Sequence, residues 1–166
     1  NSTPQLARLH SPGRNCAPPP ASETALAESW QSRAYLSHNH CMLGHLYSWL
    51  FSGIGGISQE SGSTAYKRIV IDPQIVGDLR DARVSFRSPY GLIRSEWKDA
   101  PDEFVQTIEI PANATARICL PATDPAKVTE SGKPVSGRKD MAVESGTDGR
   151  IELHVGSGVY RIAVEK

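Results

Sequence analysis

The feature that most constrains this chain is an alternation of apolar and polar side chains that starts after Tyr66 and continues to the C-terminus. In one typical stretch, Ala82, Val84 and Phe86 alternate with charged and hydroxyl side chains. Successive side chains of a strand point to opposite faces, so one face can be buried while the other meets water. Short strands separated by turn residues at roughly ten-residue spacing are typical of a sandwich or barrel. We therefore predict a mainly β fold, an antiparallel β-sandwich over residues 66–166.

The individual strands follow from the same alternation. No helical period appears between them, which excludes a parallel α/β fold. The final two apolar stretches are expected to form a hairpin around Gly156-Ser157-Gly158, and residues 57–65 are expected to be a linker. The predicted strands cover residues 67–73, 81–87, 92–98, 104–110, 116–120, 128–130, 151–155 and 160–164.

The region before the sandwich has a different composition. Residues 1–22 are low in complexity and rich in proline, so we expect them to be disordered. Residues 23–37 are ambiguous. Residues 38–54 carry apolar side chains at helical spacing and predict one amphipathic helix, ended by the glycines that follow it. The apolar face of that helix comprises Met42, Leu43, Leu46, Tyr47, Leu50, Phe51 and Ile54.

Charge and cysteine content exclude several classes of function. Eighteen basic and eighteen acidic residues give a net charge of zero, which argues against nucleic acid and against an anionic membrane as partners. The apolar stretch 42–57 is too short and too interrupted to span a bilayer, which takes about 20 apolar residues. Cys16, Cys41 and Cys119 are odd in number and far apart, so neither a disulfide framework nor a cysteine zinc site is expected.

One dense group of reactive side chains precedes the sandwich, and its members are Glu28, Trp30, His38, Asn39, His40, Cys41 and His45. A metal site is the less favoured interpretation, because positions 40 and 45 of a helix point about 140° apart. A sugar site is the alternative: Trp30 offers an apolar face, Asn39 and His40 offer hydrogen bonds, and Glu28 could activate water. From composition alone, a solvated surface carboxylate remains the simpler interpretation of Glu28. No cofactor is expected.

Several stretches together resemble the C-terminal end of bacterial α-L-rhamnosidases of glycoside hydrolase family 78. The resemblance covers about residues 24–166, and the SPYG-x-I-x-SEW and IPAN-x-TA-x-x-x-LP runs are its most specific parts. It implies that residues 23–57 are the remnant of an (α/α)₆ catalytic barrel, comprising a loop and the last helix. It also implies that the sandwich is the terminal domain. The stretches are TALAESWQ, LSHNHCMLGHLYSWLFSGIGGI, YKRIVIDPQ, SFRSPYGLIRSEW, IEIPANATARICLPA and VTESGKP.

The resemblance also assigns roles to side chains. Glu28 matches the catalytic base of an inverting hydrolase of terminal α-L-rhamnose, His40 matches a residue of the rhamnose pocket, and Trp30 and Asn39 would lie close by. The general acid belongs to an upstream motif that this chain lacks. Asp78-Leu79-Arg80-Asp81 looks similar to that motif but falls between two strands, so we interpret it as a turn with surface charges.

Three hypotheses follow. The first is a glycosidase fragment that is inactive alone, whose substrate in the parent enzyme is a rhamnosylated glycan or glycoside. The second is a carbohydrate-binding module with Tyr90, Trp97 or Tyr160 as a platform, although the register of Trp97 with Ile93 favours burial. The third, preferred for the sandwich itself, is a structural domain that packs on the missing barrel. The compartment stays open between cytoplasmic and secreted or periplasmic.

Overall fold

A computed structural model describes residues 44–146 and 148–166 of the chain, with side chains from Leu46 onward. The predictions of disorder for residues 1–22 and of a barrel loop before Gly44 lie outside the described residues. Two short helical segments, α1 (Gly44–Trp49) and a π-helical segment (Leu50–Ile54), precede eleven strands in the described part of the chain. The strands are β1 (Ile57–Gln59), β2 (Arg68–Ile71), β3 (Asp81–Ser88), β4 (Gly91–Asp99), β5 (Glu103–Ile110), β6 (Thr115–Cys119), β7 (Val128–Glu130), β8 (Lys133–Pro134), β9 (Met141–Ser145), β10 (Ile151–Val155) and β11 (Gly158–Glu165).

The strands form two sheets, which confirms the predicted sandwich. The five-stranded sheet has the order β1-β2-β6-β10-β9, and the six-stranded sheet has the order β3-β4-β5-β11-β7-β8. All strand pairs are antiparallel except β2 and β6, which run parallel with Ile69 opposite Ala116. One apolar core joins both sheets: Ile71 and Leu153 from the first lie in the same buried cluster as Phe104 and Ile162 from the second.

Two details of the prediction were wrong. The linker expected over residues 57–65 begins with β1, whose Ile57 pairs with Ile71 of β2 and is fully buried. Three residues are too few for alternation to be visible in a sequence. The predicted final hairpin does not exist, because β10 and β11 belong to different sheets. The chain instead crosses from one sheet to the other at Gly156 and Ser157, and each strand finds its partners elsewhere.

The helical region ends where its glycines predict, but with an unexpected geometry. The N–H of Gly55 donates to the carbonyl oxygen of Leu50 at 3.1 Å, so the last turn is wound as a π-helix. Ile54 is buried and Phe51 is half-buried against the core. The π segment is therefore part of the sandwich. One side of the segment packs on the core, and its opposite side faces away from the core.

Candidate functional site

The four side chains predicted to bind or hydrolyse a sugar lie outside the described residues. These are Glu28, Trp30, Asn39 and His40. Nothing in the structure brings them together or separates them, and their roles stay predictions. The described part of the chain has two other features that could serve a function. One is the helical segment before the sandwich, which comprises α1 and the π segment, and the other is a polar groove on the five-stranded sheet.

The helical segment presents an apolar surface to solvent. Within the described residues, most of the large exposed apolar side chains of this protein belong to α1 and the π segment. Tyr47 is the most exposed of them, at 79%. Its neighbours in this surface are Leu46, Trp49 and Leu50. Contiguous apolar side chains in solvent are typical of an interaction surface, whereas single ones need no explanation. We refer to these four residues as the apolar helix surface.

The same segment is firmly attached to the sandwich on its opposite side. The indole Nε1 of Trp97 donates to the carbonyl oxygen of Ile54 at 2.8 Å, within the core. The ring of Phe51 meets the ring of Phe86 edge-on, with centroids 5.4 Å apart. The backbone N–H of Gln74 also donates to the carbonyl oxygen of Gly53 at 2.9 Å. These contacts hold the π segment in a defined orientation on the sandwich.

Two glycines allow this close approach. A side chain at Gly55 would collide with Val84, since a Cβ there would lie 2.6 Å from its methyl carbon. A Cβ at Gly56 would lie 2.3 Å from the backbone nitrogen of Pro73, and Gly56 also has a φ of 71°. Only glycine meets both demands at position 56, because other residues strongly disfavour positive φ.

A groove of about 420 Å³ opens on the outer face of the five-stranded sheet. Its polar lining comes from three adjacent strands: Arg68 of β2 lies opposite Thr115 of β6, and Arg117 of β6 lies opposite His154 of β10. Glu60, which follows β1, completes the polar lining. The remaining lining residues are apolar or small, namely Ile69, Ala116, Val155 and Gly156.

Ion pairs organise the groove and its surroundings. Arg68 Nε donates to Glu60 Oε2 at 2.6 Å, and Arg117 Nη1 donates to Glu152 Oε1 at 2.8 Å. His154 Nε2 is shielded from solvent without a hydrogen-bond partner in the described residues, although Glu144 Oε2 lies 3.6 Å away. The groove is therefore lined with paired donors and acceptors instead of one sign of charge.

Cys119 lies beside Arg117 on the same face of β6 and is not a reactive group. The side chain is buried, and burial raises the pKa of its thiol to about 11. The nucleophilic form of cysteine is the thiolate, so a thiol with this pKa is inert near neutral pH. Among the described residues, no group of three or more His, Cys, Asp or Glu side chains is arranged to hold a metal ion. No helix in the same residues is long and apolar enough to cross a membrane.

Comparison with known proteins shows which family this sandwich resembles. Residues 56–134 match the family model described as bacterial alpha-L-rhamnosidase C-terminal domain. An α-L-rhamnosidase of Streptomyces avermitilis is 32% identical over 129 residues, which cover 77% of this chain. The β-sandwich belongs to this domain family. The resemblance inferred from the sequence motifs is thereby confirmed.

Solved structures agree with the rhamnosidase C-terminal domain assignment. An α-L-rhamnosidase from Dictyoglumus thermophilum matches 85% of this chain with a TM-score of 0.72 and 26% identity. The Streptomyces avermitilis α-L-rhamnosidase complexed with L-rhamnose matches 78% of this chain with a TM-score of 0.67 and 30% identity. The chain spans only 12% of the curated Streptomyces avermitilis relative and 16% of the Dictyoglumus thermophilum structure.

The rhamnosidase C-terminal domain does not use Trp97 as a sugar platform. Trp97 is 2% exposed and packs at 6.3 Å from the ring of Phe104, which confirms the register argument. Tyr160 is half-buried and its hydroxyl donates to the carbonyl oxygen of Gly156 at 3.1 Å. Tyr90 is an exposed ring on the β3–β4 turn. The groove residues were not predicted, because each is only an outward polar position until the strand order is known.

Proposed function

We propose that this chain is the C-terminal part of a longer α-L-rhamnosidase, and that the sandwich is a structural domain docked on the catalytic barrel through the apolar helix surface. One observation carries the proposal. The π segment is attached to the sandwich by the hydrogen bond between Trp97 and Ile54, while Leu46, Tyr47 and Trp49 of α1 and Leu50 at the start of the π segment face solvent. A segment fixed on one side and apolar on the other is suited to join two bodies.

The energetics favour an occupant for this surface. Burying a Leu, Ile, Phe or Met side chain contributes roughly 1.5–3 kcal/mol. Leu46, Leu50 and the two aromatic rings would therefore contribute several kcal/mol when covered, and they cost solubility when exposed. The helices of the barrel, which precede this segment in the proposed parent enzyme, are the occupant that this proposal names.

The catalytic part of the proposal rests on the resemblance of the motifs. Glu28 activates water as the general base of an inverting hydrolysis of terminal α-L-rhamnose, and an upstream carboxylic acid protonates the leaving group. Trp30, Asn39 and His40 bind the rhamnose. Because catalysis needs both carboxyl groups held in position, the 166-residue chain alone is inactive.

Catalysis is tested in the full-length protein with an aryl α-L-rhamnoside. We expect E28Q to abolish turnover while the melting temperature is unchanged. E96Q, which removes a carboxylate from the outer face of the six-stranded sheet, should retain full activity. NMR of the first product should show β-L-rhamnose, as inversion requires. Turnover by the isolated 166-residue chain, or an active E28Q enzyme, would contradict the catalytic assignment.

Docking is tested separately with L50D. In the full-length enzyme this substitution should loosen the sandwich, so that limited proteolysis releases it faster than from the wild type. In the isolated 166-residue chain the same substitution should reduce self-association. V159D is the matched control, because Val159 is 69% exposed on the outer face of β11. If L50D and V159D behave alike in both proteins, the apolar helix surface is not a docking surface.

A further inference from the structure

We propose that the groove on the five-stranded sheet is a binding site for a neutral saccharide, held by hydroxyl contacts to Arg68, Thr115, Arg117 and His154. This site is separate from the predicted catalytic residues and from the apolar helix surface. It does not depend on the proposed function, since it is built entirely from the sandwich.

The strand register gathers these side chains. Arg68 and Thr115 lie opposite each other on the parallel pair β2 and β6, while Arg117 and His154 lie opposite each other on β6 and β10. Alternate residues of a strand share a face, so Thr115 and Arg117 point to the same side of β6. Four polar side chains from three adjacent strands thus converge on one depression. Sites on strands hold side chains more precisely than sites on loops.

The groove residues keep hydrogen-bonding capacity that the protein itself does not use. Within the described residues, Arg117 donates side-chain hydrogen bonds only through Nη1, to Glu152 and Cys119. Arg68 donates through Nε to Glu60 and through Nη2 to the carbonyl oxygen of Ser61. A guanidinium has five N–H donors. Donors on both arginines therefore remain available to a ligand.

The surrounding charges decide between an anionic and a neutral ligand. Two guanidinium groups, of Arg68 and Arg117, are each already paired with a carboxylate, and Glu144 adds a third carboxylate beside His154. An anion would meet more negative than positive charge here. A hydroxyl group fits instead, because it can donate to a carboxylate and accept from the neighbouring guanidinium at the same time. Several such pairs side by side suit a molecule with several adjacent hydroxyls.

The size of the groove fits a small saccharide. The groove volume of about 420 Å³ lies within the range of roughly 300–1,000 Å³ that small-molecule sites occupy. The groove is open and its lining contains no aromatic side chain, so we expect a weak complex with a Kd on the order of 1 mM.

Titration of the ¹⁵N-labelled 166-residue chain with L-rhamnose, followed by two-dimensional NMR, tests the site. We expect saturable shifts at the backbone amides of Arg68, Thr115, Arg117 and His154. D-Glucuronate serves as the anionic comparison and should bind more weakly than L-rhamnose and D-glucose. Tighter binding of glucuronate would overturn the neutral assignment, and shifts that stay linear at these amides would overturn the site itself.

Two variants locate the binding further. R68Q removes a solvent-exposed ion pair, which costs little stability, and T115V replaces an exposed hydroxyl at the start of β6. Each should weaken L-rhamnose binding by about tenfold, as expected for one lost hydrogen bond to the ligand. R83Q makes the same change as R68Q on the outer face of the six-stranded sheet and should bind like the wild type. Unchanged affinity in both R68Q and T115V would refute the proposal.

Discussion

The indole Nε1 of Trp97 donates a hydrogen bond of 2.8 Å to the carbonyl oxygen of Ile54, 43 residues earlier in the chain. This bond satisfies a backbone carbonyl at the end of the π segment inside the core. W97F should therefore lower the free energy of unfolding by about 2–4 kcal/mol, since it leaves that carbonyl without a partner and creates a small void. Urea denaturation measures the change. W49F, made at an exposed ring at the end of α1, should change the free energy of unfolding by less than about 0.5 kcal/mol.

Gly56 permits the close contact between the π segment and the loop after β2. Its carbonyl oxygen accepts from the N–H of Asp72 at 2.9 Å, and a Cβ would collide with the backbone of Pro73. We expect G56A to destabilise the sandwich by about 3 kcal/mol, through the collision and the positive φ together. G156A is the matched control, because a Cβ at Gly156 meets nothing within 4 Å. Equal melting temperatures for the two variants would show that the packing at Gly56 is not tight.

A buried polar pair lies between β4 and β5. Ser95 and Gln106 are fully buried; Gln106 Nε2 donates to Ser95 Oγ at 3.3 Å, while Gln106 Oε1 has no donor among the described residues. Removing both partners removes the unsatisfied group, so S95A/Q106M should raise the free energy of unfolding by about 1 kcal/mol.

A substitution at Gln59 should have the opposite effect on the free energy of unfolding. The side chain of Gln59 accepts from the N–H of Tyr66 and donates to the carbonyl oxygen of Ser63, each at 2.8 Å. Q59M loses two well-made hydrogen bonds and should lower the free energy of unfolding by about 1 kcal/mol. Chemical denaturation of both variants under one buffer condition checks the contrast. Destabilisation by S95A/Q106M would indicate that an ordered water satisfies Gln106.

Stability at acid pH should depend on Glu130. Burial alone would raise its pKa, but hydrogen bonds from the Ser131 hydroxyl and the Arg138 guanidinium together hold the pKa of Glu130 below its usual 4.5. The folded state then binds fewer protons than the unfolded state below about pH 4.5. The stabilisation is therefore complete above that pH and is lost as the pH falls through the folded-state pKa.

R138A tests this linkage. The variant should be less stable than the wild type at pH 7. The difference should shrink as the pH falls below 4.5, because protonated Glu130 and Asp140 no longer pair with the guanidinium. Thermal unfolding across this pH range measures it. R94A removes an arginine whose carboxylate partners are partly exposed and 3.6–3.8 Å away, and it should have little effect on stability at any pH. A pH-independent difference between R138A and the wild type would rule out Glu130 as the titrating group.

Cys119 should react only when the sandwich unfolds. Its thiol is buried and its pKa is raised to about 11, mainly by desolvation. In a C16S/C41S variant, where Cys119 is the remaining cysteine, a disulfide reagent at pH 8 should modify the folded protein slowly and the urea-unfolded protein within seconds to minutes. Fast labelling of the folded variant would mean that the outer face of the five-stranded sheet opens readily.

Much of this fold follows from local pattern. Alternation in stretches of five or more residues identifies β3, β4, β5 and β11, because such strands bury one face against a single core. Burial of Trp97 follows from its register with Ile93. The SPYG and IPAN motifs identify the domain family. Each motif joins turn residues to adjacent strand residues in one specific order.

Pairing between distant strands was decided only by the tertiary structure. Ile57–Gln59 is too short to show a period, and Met141–Ser145 begins with three successive apolar residues and so does not alternate, yet both become strands because a neighbouring strand offers an edge. The stretches 151–155 and 160–164 look like a hairpin in sequence but join different sheets. The groove has the same origin: Arg68, Thr115 and His154 become neighbours only through the parallel pairing of β2 with β6 and the antiparallel pairing of β6 with β10. Side-chain alternation along a strand is a local property of the chain, whereas the choice of partner depends on how all the apolar faces can be buried at once.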